Sequence, residues 1–364
     1  MSELYIGLMS GTSIDGIDAV LVDFSHLKPK ILAKHFEKMP DGFRESILNI
    51  CYPGENEINK MGELDVELGK QFAKTVNILL TQTNISPKLI RAIGSHGQTI
   101  RHHPNKQFTI QIGDPNIIAA QTHITTIADF RRRDMAEGGQ GAPLVPAFHK
   151  HFFYDKKVNR IILNIGGIAN ITVLLADSQN PVIGFDTGPG NTLIDAWTQL
   201  HLNKSCDENG VWASEGSVNQ PLLSQMLKDS FFNLPHPKST GREYFNLNWL
   251  KSFSTSSIKP QDMQATLVEL TVTSIINSVK KHMSEGDILV CGGGIHNEFL
   301  MKRLRELGSN YHISSTLPFG IDPDWVEATA FAWLAKQTLN KQPGNLSAVT
   351  GANKEAILGG IYFA

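Results

Sequence analysis

The chain has 364 residues, enough for one large or two medium domains, and its 41% apolar content is ordinary for a globular protein with a real core. A net charge of −2 excludes a general nucleic-acid binder and an acidic tail. Three cysteines, Cys51, Cys206 and Cys291, without CxxC spacing argue against a disulfide framework and fit a reducing compartment. The first apolar stretch has no basic region before it, and at about six residues it is too short for a signal-peptide core or a membrane span. A soluble cytoplasmic protein is expected, without membrane or nucleic-acid partners.

The first strand, Leu4–Met9, stops at a Ser-Gly-Thr-Ser turn, and a second strand, Ile17–Phe24, follows at once. In this turn Gly11 lets a bulky anion approach the backbone. Thr12 and Ser13 offer hydroxyls, and Asp15 and Asp18 can sit near a metal. The turn suits a nucleotide phosphate, although an ordinary polar hairpin has the same composition. A third strand, Ile31–Phe36, precedes helices over Gly42–Cys51 and Ile58–Gln82. Short strands Leu89–Gly94 and Phe108–Gly113 come next, the latter before a helix opened by Asp114-Pro115. A strand at Thr125–Ala128 leads into Asp129-Phe130-Arg131-Arg132-Arg133-Asp134. Such alternation reads as an α/β domain.

A second start lies near Asn159: strand, Gly166-Gly167 turn, strand, then a third strand at Val182–Phe185. Both halves therefore open alike, which reads as a duplication of architecture rather than of sequence. The expected arrangement is an N-terminal lobe over 1–150, to which the C-terminal tail is free to return, and a C-terminal lobe over 151–364. Two such lobes make a cleft, the usual place for a ligand. Further helices are expected at Thr192–Leu200, Val218–Leu227, Asp262–His282, Asn297–Leu307 and Trp325–Thr338, with a strand at Asp287–Cys291.

Three Gly-rich turns each end an apolar strand: Gly11–Gly16, Gly166-Gly167 and Gly292-Gly293-Gly294. The P-loop and Rossmann fingerprints are absent. Asp186 is expected just past a strand end, where a carboxylate either polarises a hydroxyl or water or caps the turn. One arginine of the run at 131–133 can bind a carboxylate bidentately, although most such runs are solvated faces. His96, His102 and His103 match no zinc spacing, and His96 reads better as a substrate contact. Glu327 serves either the helix dipole or a cleft.

Taken in order, GLMSGTSIDGIDAVLVDF, GSHGQTIRHHP, QIGDPNIIA, DFRRRDMAEGGQGAPLVP, LNIGGIANIT, GFDTGPGNTLIDAW, GREYFN, VCGGGIHN and VEATAFAWLA make the chain resemble the anhydro-N-acetylmuramic acid kinases over nearly its whole length. No departure from the family pattern is visible in these stretches. The resemblance implies an α/β fold of two similar lobes, of the sugar kinase, heat-shock chaperone and actin (ribonuclease H-like) type. It implies ATP with Mg²⁺, 1,6-anhydro-N-acetylmuramic acid as substrate, N-acetylmuramic acid 6-phosphate as product, and a cytoplasmic homodimer. The family's base maps onto Asp186. Its first phosphate turn maps onto Gly11, Thr12, Ser13, Ile14, Asp15, Gly16, Ile17 and Asp18. Its second maps onto Asn164, Gly166, Gly167 and Asn170, and its adenosine-side turn onto Gly292, Gly293 and Gly294. His96, Arg131 and Glu327 would hold the sugar; the metal ligands stay unassigned. A nucleotide-switched binding protein on the same fold, or an ordinary hexose or glycerol kinase, remain the rival readings.

Overall fold

A computed structural model describes residues 3–11, 13–253 and 258–364, so Thr12 lies outside the described residues. The chain divides into two units, Met1–Phe152 with Phe319–Ala364, and Phe153–Pro318.

The first unit opens with β1 (Leu4–Met9), β2 (Gly16–Asp23) and β3 (Lys30–Lys38), an antiparallel meander. Every residue of β1 is buried, as a run of Leu, Tyr, Ile and Met at the centre of a sheet must be. β3 alternates between exposed and half-buried residues, as an edge strand does. β4 (Ile90–Ser95) then joins β1 in parallel. β5 (Gln98–His103) and β6 (Phe108–Ile112) form a separate hairpin, whose first strand the polar sequence concealed. β7 (Thr126–Ala128) adds beside β4, and the helix Phe130–Ala136 carries the arginine run.

The second unit repeats the plan. β8 (Arg160–Ile165), β9 (Ile168–Leu174) and β10 (Ile183–Pro189) are again an antiparallel meander, and β11 (Gly286–Cys291) and β12 (Tyr311–Ser315) pair in parallel beyond β8. Its sheet order is β10-β9-β8-β11-β12. The helix Pro260–Lys280 is buried along most of its length and closes the core with Leu163, Phe185, Leu267 and Val290.

The chain then returns to the first unit, where β13 (Gly360–Tyr362) pairs with β7, giving the order β13-β7-β4-β1-β2-β3. Apart from that added edge strand, both sheets read third-second-first-fourth-fifth in their own strand numbering. This is the ribonuclease H-like order of the sugar kinase and actin-like fold, so the duplication expected from two similar openings is present in the topology.

The return begins earlier than a short tail. The helix Val326–Leu339, expected in the C-terminal lobe, packs in the first unit. The reason is steric complementarity. A Cβ on Gly7 of β1 would meet the carbonyl oxygen of Ala328 at 1.8 Å, and one on Gly94 of β4 would meet that of Phe331 at 2.0 Å. Bare backbone on both strands, facing a helix that presents Ala328, Ala332 and Ala335, permits backbone-to-backbone contact. Among the described residues no helix is long and apolar enough to cross a membrane.

Candidate functional site

In each unit the expected residues gather at the carboxyl ends of the parallel strands, where open α/β sheets bind ligands. In the first unit β1 ends at the polar turn, β4 at His96 and β7 at Asp129. After β1 the N–H of Ile14 donates to the Gly11 carbonyl at 3.2 Å and the Ser13 hydroxyl donates to Asp15 at 2.6 Å. Gly16, Ile17 and Asp18 belong to β2 rather than to the turn, because pairing with β1 and β3 extends to them.

His96 is buried, and its N–H donates to the Leu8 carbonyl at 3.0 Å. Arg131 donates to His96 Nε2 from Nε at 3.2 Å and from Nη2 at 2.8 Å, and from Nη1 to the Gly141 carbonyl at 2.8 Å. Burial first, and the Arg131 charge second, pull His96 down to about 3. The imidazole is therefore neutral, with Nε2 accepting and the proton assigned by this network to Nδ1. Nδ1 makes no hydrogen bond of normal geometry among the described residues, although the backbone of Gly97 and Ser10 lies near enough to oppose the downward shift. Burial lowers Arg131 to about 10 against the opposing pull of Glu327 and Asp134, and burial raises Glu327 against the pull of Arg131. The three expected sugar-binding residues thus stand in one electrostatic cluster. A cavity of about 240 Å³ adjoins it, lined by His96, Gln111, Asp129 and Arg132 among others.

Behind them lies a residue the sequence did not single out. Asp134 is fully buried and accepts from the Gly141 N–H at 2.8 Å, from Asn345 at 2.6 Å and from the Thr350 hydroxyl at 2.7 Å. It fixes the Gly141 backbone, whose carbonyl holds Arg131. The last acid of the arginine run was its only sequence signal.

Asp18 is partly buried, and its carboxylate accepts no hydrogen bond among the described residues. Burial raises it to about 7, with Asp15, Glu327 and Asp324 adding repulsion. A carboxyl whose folded pKa lies above its unfolded value stabilises the fold fully below the unfolded pKa and loses that contribution as pH rises through the folded value. Asp18→Asn should therefore raise the melting temperature at pH 8 and leave it nearly unchanged at pH 4. Parallel melting curves of both proteins at the two pH values check this; equal shifts at both would remove the linkage.

In the second unit Asn164 and Asn170 face each other across the β8–β9 hairpin, with Gly166 and Gly167 at its tip. The Gly166 carbonyl accepts from the N–H of Asn191 at 2.8 Å, and the Gly167 carbonyl accepts from Gly190 at 2.9 Å and Thr192 at 3.0 Å. That zips the start of the helix Thr192–Leu202 onto the turn. The third glycine turn lies alongside: a Cβ on Gly292 would sit 2.2 Å from Asn164 Oδ1, so glycine there admits the asparagine side chain. Gly293 has open space where its Cβ would be, and Gly294 packs on Ile165.

Asp186 was expected just past a strand end. It lies inside β10, because pairing with β9 resumes through Pro189 after a register shift between Asp186 and Gly188. Such a bulge re-aims a side chain. Asp186 Oδ2 accepts from the Thr240 N–H at 2.9 Å, and the Asp186 N–H donates to the Lys238 carbonyl at 3.0 Å. Oδ1 accepts nothing among the described residues. Burial raises Asp186 to about 6 against the Thr240 hydrogen bond and the Lys238 charge. A carboxylate held on one oxygen, open on the other and poised near neutrality can accept a proton from water. Of the holding segment, Lys238–Glu243, only Gly241–Glu243 fall in a quoted motif, GREYFN; Lys238 and Thr240 were not singled out in the sequence.

Among the described residues no group of three or more His, Cys, Asp or Glu is placed to cage a metal ion. The donor chemistry of the first turn nevertheless fits a nucleotide-borne Mg²⁺, which takes one or two carboxylates and keeps phosphate and water ligands. Asp18, without a hydrogen bond and crowded by other acids, is such a carboxylate.

The family model described as anhydro-N-acetylmuramic acid kinase matches residues 3–364. The protein named anhydro-N-acetylmuramic acid kinase in Coxiella burnetii (strain RSA 493 / Nine Mile phase I) is 54% identical over 99% of this chain and 98% of its own. The one so named in Shewanella denitrificans is 53% identical over 100% of this chain and 99% of its own. Among solved structures, the activator of the 2-hydroxyisocaproyl-CoA dehydratase from Clostridium difficile superposes with a TM-score of 0.47 at 13% identity, covering 93% of this chain and 97% of that one. With its motifs seated on the carboxyl ends of two like-ordered sheets and its relatives matched from end to end, the chain belongs to the anhydro-N-acetylmuramic acid kinase family.

Proposed function

We propose that the protein is an ATP-dependent kinase that hydrolytically opens the 1,6-anhydro bridge of 1,6-anhydro-N-acetylmuramic acid and phosphorylates O6. The product is N-acetylmuramic acid 6-phosphate, an intermediate of cell-wall recycling and amino-sugar catabolism. The observation that carries this reading is end-to-end family membership.

The bridge is an intramolecular acetal, and its opening resembles an inverting glycosidase. Asp186 takes a proton from water through its open Oδ1 as the water oxygen bonds to C1. The C1–O6 bond breaks, and its electron pair stays on O6. O6 bonds to the γ-phosphorus, and the bond from that phosphorus to the β,γ-bridging oxygen breaks, releasing ADP. Phosphoryl capture thus replaces the acid that a glycosidase uses to protonate its leaving group. The N–H of Thr240 holds Asp186 by one oxygen, so the base keeps its orientation.

In the first unit, Gly11–Asp18 would hold phosphate oxygens, and His96, Arg131 and Glu327 would hold the sugar. In the second, Asn164, Gly166, Gly167 and Asn170 would hold phosphate and Gly292–Gly294 the adenosine side. Asp18, with Asp15 beside it, would hold Mg²⁺, which supplies charge neutralisation on the transferring phosphoryl. A cytoplasmic homodimer is part of the same reading and rests on the resemblance alone.

The test is incubation with ATP, Mg²⁺ and the anhydro-sugar in ¹⁸O-water, read by mass spectrometry before the anomeric hydroxyl exchanges. The expected product is the 6-phosphate carrying one solvent oxygen at C1. A sugar phosphate that retains the bridge, or ATP hydrolysis without sugar consumption, would overturn the proposal; the second result would favour a nucleotide-switched binder.

A further inference from the structure

The segment Lys238–Glu243 does more than orient Asp186. Its backbone is pinned at both ends. Lys238 and Thr240 bond to Asp186, while Tyr244 and Phe245 donate to the Gly241 carbonyl at 3.1 Å each. Phe245 is fully buried in the core. The Asn246 side chain donates to the carbonyls of Arg242 at 3.1 Å and Glu243 at 2.8 Å. A rigid loop of this kind delivers one exposed cation, Arg242.

The Arg242 guanidinium lies against the Gly166-Gly167 turn. A Cβ on Gly167 would come within 3.4 Å of both Nε and Nη2. Yet among the described residues this guanidinium makes no hydrogen bond and no ion pair. Its electrostatic neighbour Asp195, which burial raises to about 6 against the pull of the arginine, makes no hydrogen bond or ion pair with it among the described residues. The same spot holds a second unsatisfied group. The Thr192 hydroxyl is buried, has no hydrogen-bond partner among the described residues, and would be 2.8 Å from a Gly167 Cβ. Thr192 opens an eleven-residue helix whose N-cap, Asn191, makes no side-chain capping bond. An unpartnered guanidinium fork, an unpartnered buried hydroxyl and a helix N-terminus without a side-chain cap converge on one glycine. All three favour a multiply charged oxyanion.

We propose that Arg242 is a catalytic residue that grips the γ-phosphoryl group of the nucleotide over the Gly166-Gly167 turn. The loop that presents it also holds Asp186, which places the guanidinium at the reacting end of the triphosphate rather than at its α-phosphate. The assignment rests on the reading of Asp186 and of this turn given above. Arg242 offers two parallel N–H donors to the equatorial oxygens, whose charge rearranges as the phosphoryl passes between oxygens.

The experiment compares the parent protein with Arg242→Ala and Arg242→Lys. Calorimetric titration with Mg²⁺ and either a non-hydrolysable ATP analogue or ADP gives affinities, and steady-state kinetics give kcat/KM. For Arg242→Ala, the preference for triphosphate over diphosphate should fall at least ~10-fold, and kcat/KM for ATP by roughly 10²–10³-fold, the scale for one preorganised donor. The KM for the sugar should stay within about 2-fold, the resolution expected of a contact made only to phosphate. Arg242→Lys keeps the charge but loses the fork, and should stay at least ~10-fold below the parent. An unchanged triphosphate-to-diphosphate preference, a parental kcat/KM, or a defect confined to the sugar KM would each overturn the assignment. If the parent itself does not convert the anhydro-sugar, the functional reading fails, while the nucleotide titrations still decide the role of Arg242.

Discussion

Asp186→Asn is expected to fold and bind nucleotide normally and to lose turnover by roughly 10²-fold or more, the usual scale for a positioned base. The amide keeps the size of the side chain and an oxygen to accept from the Thr240 N–H, so the bulge and the Lys238–Glu243 loop stay in place. What it lacks is basicity. Bridge opening and phosphorylation should disappear together, because O6 cannot accept the phosphoryl while it remains in the acetal. The pH profile gives a second arm. Burial holds Asp186 at about 6, and only the ionised carboxylate can take a proton from water. Parental kcat/KM for the sugar should therefore rise with pH through about 6 and level off above it. The Asn variant should lack that limb. Stopped assays that quantify ADP and sugar phosphate in parallel check both arms. Substantial activity in Asp186→Asn would remove the residue from the chemistry and move suspicion to Glu327, another carboxyl that burial raises.

Gly7→Ala carries the largest expected effect on the fold. The added methyl would stand 1.8 Å from the Ala328 carbonyl oxygen and 2.8 Å from the Ala332 backbone nitrogen. Neither is the end of a flexible side chain, so either the helix Val326–Leu339 retreats or β1 bends. β1 is paired on both sides and buried throughout, and cannot yield locally. Overpacking a rigid core typically costs 1–3 kcal/mol, and a backbone clash of this depth should exceed about 4 kcal/mol. The variant is expected to accumulate as insoluble protein or to melt far below the parent. Gly54→Ala is the control: nothing lies within 4 Å of its Cβ, and its stability should change by no more than about 0.5 kcal/mol. Denaturant unfolding of the two variants beside the parent measures both. A Gly7→Ala protein with parental stability would mean that the helix does not rest on the bare strand.

The strands Leu4–Met9 and Ile168–Leu174 were legible because apolar runs beside glycine turns are a local signal, and the repeat of that signal near Asn159 pointed to a duplicated architecture, while the sheet order itself came from the structure. The glycine turns and Asp186 could be named as candidates for the same reason: small residues and a carboxylate at a strand end announce themselves within ten residues of sequence. Non-local features could not be read. That the last helix rests on β1 and β4 depends on Gly7 and Gly94 meeting alanines more than two hundred residues away, and periodicity carries no such pairing. The bulge that turns Asp186 is set by register with β9, and the Thr240 N–H reaches it from a loop 54 residues downstream. Asp134 reads as the end of a charged run until Asn345 and Thr350 arrive from the C-terminal segment to bury it. The sequence by itself determined the residue types that phosphate, sugar and water chemistry need. Only the tertiary structure decided their protonation and orientation, since burial and hydrogen-bond partners, which shift His96, Asp18 and Asp186, are properties of packing and not of order along the chain.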